Sequence, residues 1–195
     1  MAYTAGPALS AARDAKPSPG ISMDYIVNAG STIYKGAMVG VPASVYADAA
    51  SITTTLGYAH PFNDRTANKD LFVGIAEESV AAAATAVTGI AYNEALNPDA
   101  VTASPLVSRI RVARKGIHRV AFQSDTDTST AAKQMALIGA PVYASSDGCV
   151  SDLSTGTTYY SEGGVKVGNI VAWESAPAVA GTVMYCWIQI DNAVS

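Results

Sequence analysis

The chain has 195 residues with 12 Lys plus Arg against 16 Asp plus Glu, a formal charge of −4. That mildly acidic balance supplies no global field for nucleic acid or for an anionic membrane. Charged residues are only 14% and hydrophobic ones 49%, low in charge for a lone soluble monomer, so part of the surface is expected to be covered by something else.

The residue inventory points to β structure. There are 36 Ala, 19 Val, 16 Thr and 12 Ile, but only 7 Leu and 5 Glu. β-branched residues suit pleated, half-buried backbone, whereas helical bundles call for Leu, Glu and Lys. The fold expected is mainly β, a small barrel with one short helix.

Residues 1–31 mix Gly6, Pro7, Pro17, Pro19 and Gly20 with small polar side chains and show no lasting period, which predicts an extended N-terminal arm. The start Met1-Ala2-Tyr3-Thr4 lacks the charged and apolar run of a secretory signal, so a cytosolic origin is expected. Regular structure is predicted from Thr32, with a strand, a turn at Gly36 and a second strand through Val41. Loop chemistry fills 47–70, including His60-Pro61, read as a surface turn, and the run Leu71–Ala76 fits a buried strand. The Ala-rich segment 81–105 reads as an insertion with one helical turn. Its longest apolar run is about twelve residues and is broken by Thr85, Thr88 and Gly89, too short to cross a bilayer.

From Ser108 to Phe122 the apolar residues Ile110, Val112, Val120 and Phe122 take even positions, while Arg109, Arg111 and Arg119 take odd ones. This period of two marks a strand with one face inward. Either Arg114-Lys115-Gly116 turns a hairpin, or the strand runs on and bends at Gly116; both place Arg109, Arg111 and Arg119 on one face. Five of the 12 cations lie in this stretch: Arg109, Arg111, Arg114, Lys115 and Arg119. Such a patch reads either as a solvated strand face or as a surface that docks on an acidic protein, and no aromatic residues interleave there as nucleic acid would require. His118 falls on the apolar parity and reads as a core histidine.

A helix over Thr130–Gly139 follows, capped by Ser129 or Thr130 and closed by Gly139, with Met135 and Ile138 on one side. Val142–Ala144, a turn at Asp147-Gly148 and Cys149-Val150 come next. The final strand, Val183–Ile190, is apolar on both parities, with Tyr185 and Trp187 on one and Met184, Cys186, Ile188 and Ile190 on the other. It should be sandwiched on both sides, by its own fold or by a neighbour.

Catalytic and ligand motifs are missing from the sequence. Cys149 and Cys186 form no CxxC pair and read as buried reduced thiols. The sequence holds no GxSxG elbow, no zinc-ligand spacing, no GxxxxGK[ST] and no GxGxxG. Asp125-x-Asp127 matches the opening of a calcium loop but lacks its glycine and closing glutamate, so it reads as a polar loop ahead of the helix. No cofactor, no metal and no enzymatic activity are expected.

The order Gly36-Ala37-Met38-Val39, Leu71-Phe72-Val73-Gly74-Ile75-Ala76, Ile110–Ile117, Leu137-Ile138-Gly139-Ala140-Pro141-Val142-Tyr143 with Asp147-Gly148, and Val165–Val171 resembles the head-decoration, or cement, proteins of tailed phages. The resemblance spans roughly 32–190 and departs from the compact family pattern at Ala47–Asp70 and Ala81–Pro105. It implies a β-tulip-like domain over 32–195 behind the arm 1–31. It further implies a structural virion protein on the outer capsid surface, assembled in the host cytoplasm. Its partners would be the major capsid protein and other copies of itself, often as a trimer. The basic cluster and the two-sided apolar final strand supply the candidate partner-binding residues Arg109, Arg111, Arg114, Lys115, Arg119, Tyr185 and Trp187. A virion-displayed carbohydrate- or host-binding module is the alternative, with Tyr58, Tyr92, Tyr159 and Tyr160 as its platforms.

Overall fold

The computed structural model of the chain describes residues 22–28, 30–42, 58–62, 70–82, 108–161 and 163–191. Within them the protein is mainly β, with two closed five-stranded barrels, a two-stranded sheet and one short helix. Barrel one holds β1 (Ser22–Val27), β3 (Met38–Pro42), β4 (Tyr58–Pro61), β5 (Asp70–Ala76) and β7 (Arg109–Ala113). Barrel two holds β8 (Lys115–Phe122), β9 (Pro141–Ala144), β10 (Cys149–Ser151), β11 (Lys166–Trp173) and β12 (Met184–Asp191). The pair β2 (Thr32–Ile33) and β6 (Val80–Ala81) lies outside both barrels.

The two barrels are one design used twice. In each, the first strand pairs parallel with the third and antiparallel with the fifth: β1 with β4 and β7, β8 with β10 and β12. The second strand pairs with the third and fourth, and the fourth with the fifth, all antiparallel. The register agrees residue by residue. Val39 faces Gly74 and, past a bulge, Gly40 faces Phe72; Val142 faces Gly168 and, past the same bulge, Tyr143 faces Lys166. Backbone hydrogen bonds at the turn repeat too: Gly36 N–H to Ala76 O (2.8 Å) and Ala76 N–H to Ala37 O (2.9 Å) match Gly139 N–H to Ile170 O (2.7 Å) and Ile170 N–H to Ala140 O (3.0 Å).

Glycine is required at equivalent points. Gly36 and Gly139 open the second strands at φ of 84° and 86°, a region costly to residues with a Cβ. A Cβ on Gly74 would lie 2.2 Å from the Ala113 carbonyl oxygen, and one on Gly168 would lie 2.3 Å from that of Gln189. Ala113 and Gln189 are themselves equivalent, each the fifth-strand residue beside its glycine.

Several expectations change. Ser22–Val27 is a strand, so the extended arm does not reach residue 31; β7 and β4 supply the hydrogen-bonding partners that a Gly- and Pro-flanked segment lacks by itself. The segment 47–70 contains β4, and 32–195 is not one barrel but most of two. The insertion 81–105 and its helical turn lie, beyond Ala82, outside the described residues. Between β7 and β8 there is no hairpin: each strand is held by its own barrel, and the chain crosses from one to the other at Arg114.

The barrels share a core. Met38, Phe62, Phe72 and Ile75 from barrel one pack into the interior of barrel two with Phe122, Val142, Ile170 and Ile188, while Val27, Val39, Val73, Ile110 and Val112 fill barrel one. Met38 N–H donates to Asp147 O at 2.6 Å across the junction. α1 (Ala131–Ala136) is capped as expected, Thr130 Oγ1 accepting from Lys133 N–H at 3.3 Å. Its buried residue is Gln134, whereas Met135 is 64% and Ile138 42% exposed.

Because the two close approaches are equivalent, Gly74→Ala and Gly168→Ala are each expected to cost about 3 kcal/mol, the upper range of ordinary single substitutions. Urea midpoints read this, and one silent substitution would show that the closure geometry is not shared.

Candidate functional site

The residues singled out as partner-binding fall on two surfaces. Arg119 on β8 and Tyr185 and Trp187 on β12 come together on the outer face of barrel two, with Trp187 directly opposite Arg119 in the ladder. Arg119 Nε and Nη2 donate to the Glu174 carboxylate at 2.7 and 2.8 Å, and its guanidinium carbon lies 3.9 Å from the centre of the Tyr185 ring. Ile117, 43% exposed, extends this face two residues along β8. The assembly is a planar cation fixed by a two-pronged carboxylate bridge and laid over an aromatic ring, the arrangement in which arginine is most ordered.

Arg109 and Arg111 do not join it. They project from β7 on the outer face of barrel one, where Arg111 Nε donates to Asp24 Oδ1 at 3.3 Å and Arg111 N–H donates to Glu78 Oε1 at 2.9 Å. Arg114 is the one-residue link between the barrels, its Nη1 lying 3.0 Å from Met23 Sδ, and Lys115 begins β8 opposite Asp191. The single cationic face expected for Arg109, Arg111 and Arg119 is therefore split between barrels. Glu174 and Asp24, which neutralise the arginines, are distant in sequence and carry no periodic signal.

The final strand corrects another expectation. Met184, Cys186, Ile188 and Ile190 point into the core, but on the opposite side Tyr185 and Trp187 are only partly covered and Gln189 is exposed. One side of β12 is dry.

The ionisable groups elsewhere have structural partners. His60 is not a surface turn residue: it sits on β4 with Nε2 3.2 Å from Oδ1 of the buried Asp70 and Nδ1 2.9 Å from Pro61 O. With both nitrogens so occupied it is a strut, and its hydrogen bond to Asp70 raises its pKa against the opposing effect of burial. His118 is a core histidine as expected. Burial lowers its pKa; Nε2 lies 3.5 Å from Lys115 O, and Nδ1 finds no hydrogen-bond partner among the described residues. Both cysteines are buried and free, and burial pushes the Cys186 thiol up.

Asp125 anchors the loop between β10 and β11. Its Oδ2 accepts from the Thr157, Thr158 and Tyr159 N–H groups at 2.9, 2.7 and 3.1 Å and from Thr157 Oγ1 at 3.0 Å. Partial burial works to raise its pKa, but these donors prevail and hold it below the usual range. Asp127 accepts from Ser129 N–H and pairs with Lys133, so the loop caps the helix. Among the described residues no three His, Cys, Asp or Glu group together as a metal would need, and no helix is long and apolar enough to cross a membrane.

Of the tyrosines, Tyr58 lies on β4 rather than in a loop, and Tyr92 falls outside the described residues. Tyr159 is half-buried against the backbone turn at Gly181, where an added Cβ would meet its ring at 2.7 Å. Comparison with family models, with curated proteins and with solved structures gives no match.

Two measurements follow. A double-mutant cycle on Arg119→Ala and Glu174→Ala should give a coupling of about 1 kcal/mol that shrinks with added salt, as expected of a half-exposed pair. The histidines should tilt the stability profile in opposite senses. The His60 contribution is full below pH 6.5, its unfolded value, and disappears as pH rises through its raised folded pKa. His118 penalises the fold as pH falls from 6.5 toward its lowered folded pKa. Chemical denaturation between pH 5 and pH 8 should thus show His60→Asn losing most stability at the acid end and His118→Met losing least there.

Proposed function

We propose that this chain is a structural virion protein that docks on the outer surface of a tailed-phage head and ties neighbouring capsid subunits together against the pressure of the packaged genome. The observation that carries this reading is the outward cluster Arg119–Tyr185–Trp187 on a closed barrel. Trp, Tyr and Arg are the residues in which protein–protein binding energy concentrates. A closed barrel has no free edge to add a strand to, so recognition falls to outward side chains.

The orientation of the helix supports the same reading. Trp173 Nε1 donates to Gln134 O at 2.7 Å, and Gln134 Nε2 donates to Ser175 O at 3.3 Å, which fixes the helix with Met135 outward. An apolar side chain held in water by buried polar bonds gains by being covered. The resemblance of the motif order to cement proteins points the same way, as does the low fraction of charged residues. Apolar burial across a seam is worth about 25 cal/mol per Å², and a shell multiplies a modest contact over many symmetric copies.

The test uses heads from the particle that carries this chain, stripped of it and incubated with purified protein. Wild-type chain should rebind and raise the temperature at which the heads release DNA. Arg119→Ser combined with Trp187→Ser should weaken occupancy at least tenfold, equivalent to about 1.4 kcal/mol. Heads that neither take up the wild-type chain nor gain heat resistance would end this reading.

A further inference from the structure

The duplicated ladder makes the outer surfaces of the two barrels equivalent, position by position. Ile26 pairs with Tyr58 on one side and Arg109 on the other; Ala121 pairs with Cys149 and Tyr185 in the same two senses. Continuing along the strands, Ser22 corresponds to Ile117, Asp24 to Arg119, Arg109 to Tyr185 and Arg111 to Trp187. The partner-binding residues read from the sequence, separated by the crossing at Arg114, therefore occupy one and the same strand pair in its two copies.

The chemistry of the two faces is related without being identical. Each carries an outward guanidinium held by a carboxylate, Arg111 by Asp24 in barrel one and Arg119 by Glu174 in barrel two. The barrel-two face adds an exposed apolar side chain, Ile117, at the position equivalent to Ser22; Met23, also exposed, lies on the other side of β1, opposite Val112. Charge is compensated locally on both, so neither face suits a polyanion. The planar hydrogen-bonding cation common to both fits instead a folded protein surface offering carboxylate or carbonyl acceptors.

The two faces are also held in a fixed relation, because Met38, Phe62, Phe72 and Ile75 of barrel one are packed into the core of barrel two. One such face suffices for a single contact. Two equivalent faces, rigidly spaced, match a partner that itself recurs in equivalent copies. We propose that the chain is a tandem duplication of one five-stranded unit and that its two β1–β7 and β8–β12 faces dock on two adjacent copies of the same protein, making each molecule a two-point clamp. This deepens the capsid reading and rests on it. The second contact becomes intramolecular once the first has formed, so retention can exceed that of a single face by about 10²- to 10⁴-fold with no new chemistry.

The experiment compares full-length variants on the stripped heads used above, with dissociation half-life as the readout. Ser22→Arg blocks the barrel-one face and Ile117→Arg the barrel-two face, both at exposed, equivalent positions; Asp24→Ser with Arg111→Ser, and Trp187→Ser, are second variants, and thermal melts check that each folds. A two-point clamp predicts that blocking either face shortens the half-life about 100-fold or more, and that blocking both abolishes retention. If one variant abolishes retention and the other matches wild type, the clamp is refuted while the capsid reading stands. If both match wild type, docking lies elsewhere and the clamp is refuted as well. Failure of the wild-type chain to bind would remove both.

Discussion

Closure of a sheet only five strands wide forces the fourth and fifth strands together until no side chain fits between them. The carbonyls of Ala113 and Gln189 occupy the space in which Gly74 and Gly168 would carry a Cβ, and in each barrel the bulge directly precedes the glycine and turns the strand into this approach. Closure then disposes of the backbone's hydrogen-bonding groups, leaving outward side chains to engage anything else. The narrow interiors are filled largely by Val, Ile and Phe, with Met38, Met184, Cys186 and several Ala among them, which fits the β-branched composition.

The barrels are related head to tail, not by a twofold. The outer side of β3 and β5 in barrel one delivers Met38, Phe72 and Ile75 into barrel two, but the equivalent residues of barrel two are Pro141, Lys166 and Asn169, none of them buried. A head-to-tail contact propagates unless its last face is made incompatible. At Lys166 and Asn169 this face of barrel two is polar and not buried, so the apolar contact made through Met38, Phe72 and Ile75 is not repeated there. At the outward positions Asp24 and Arg111 of barrel one correspond to Arg119 and Trp187 of barrel two, so equivalent backbones carry a charged face and an aromatic one.

Surface chemistry and internal polar bonding are linked throughout. Gln134 is drawn inward by Ser175 O, which turns Met135 out; Asp125 collects three backbone amides and so lays Tyr159 against Gly181. In both cases a polar group that must be satisfied decides where an apolar one ends up.

The sequence by itself determined the β class, the inward parity of Ile110, Val112, Val120 and Phe122, the Thr130 cap, the Asp147-Gly148 turn and the buried thiols, because these follow from spacing over a few residues. It also singled out Arg119, Tyr185 and Trp187 as candidates for contact with a partner. Their meeting on one face, the separation of Arg109 and Arg111 from them, the strand at Ser22–Val27 and the existence of two barrels were decided by tertiary structure alone. A strand's partners lie far along the chain, and a repeat that keeps only Gly-Ala-x-Val and Val-Gly retains the few residues the backbone geometry demands while its side chains drift. Register, not residue identity, carries the duplication, and register exists only once the strands have paired.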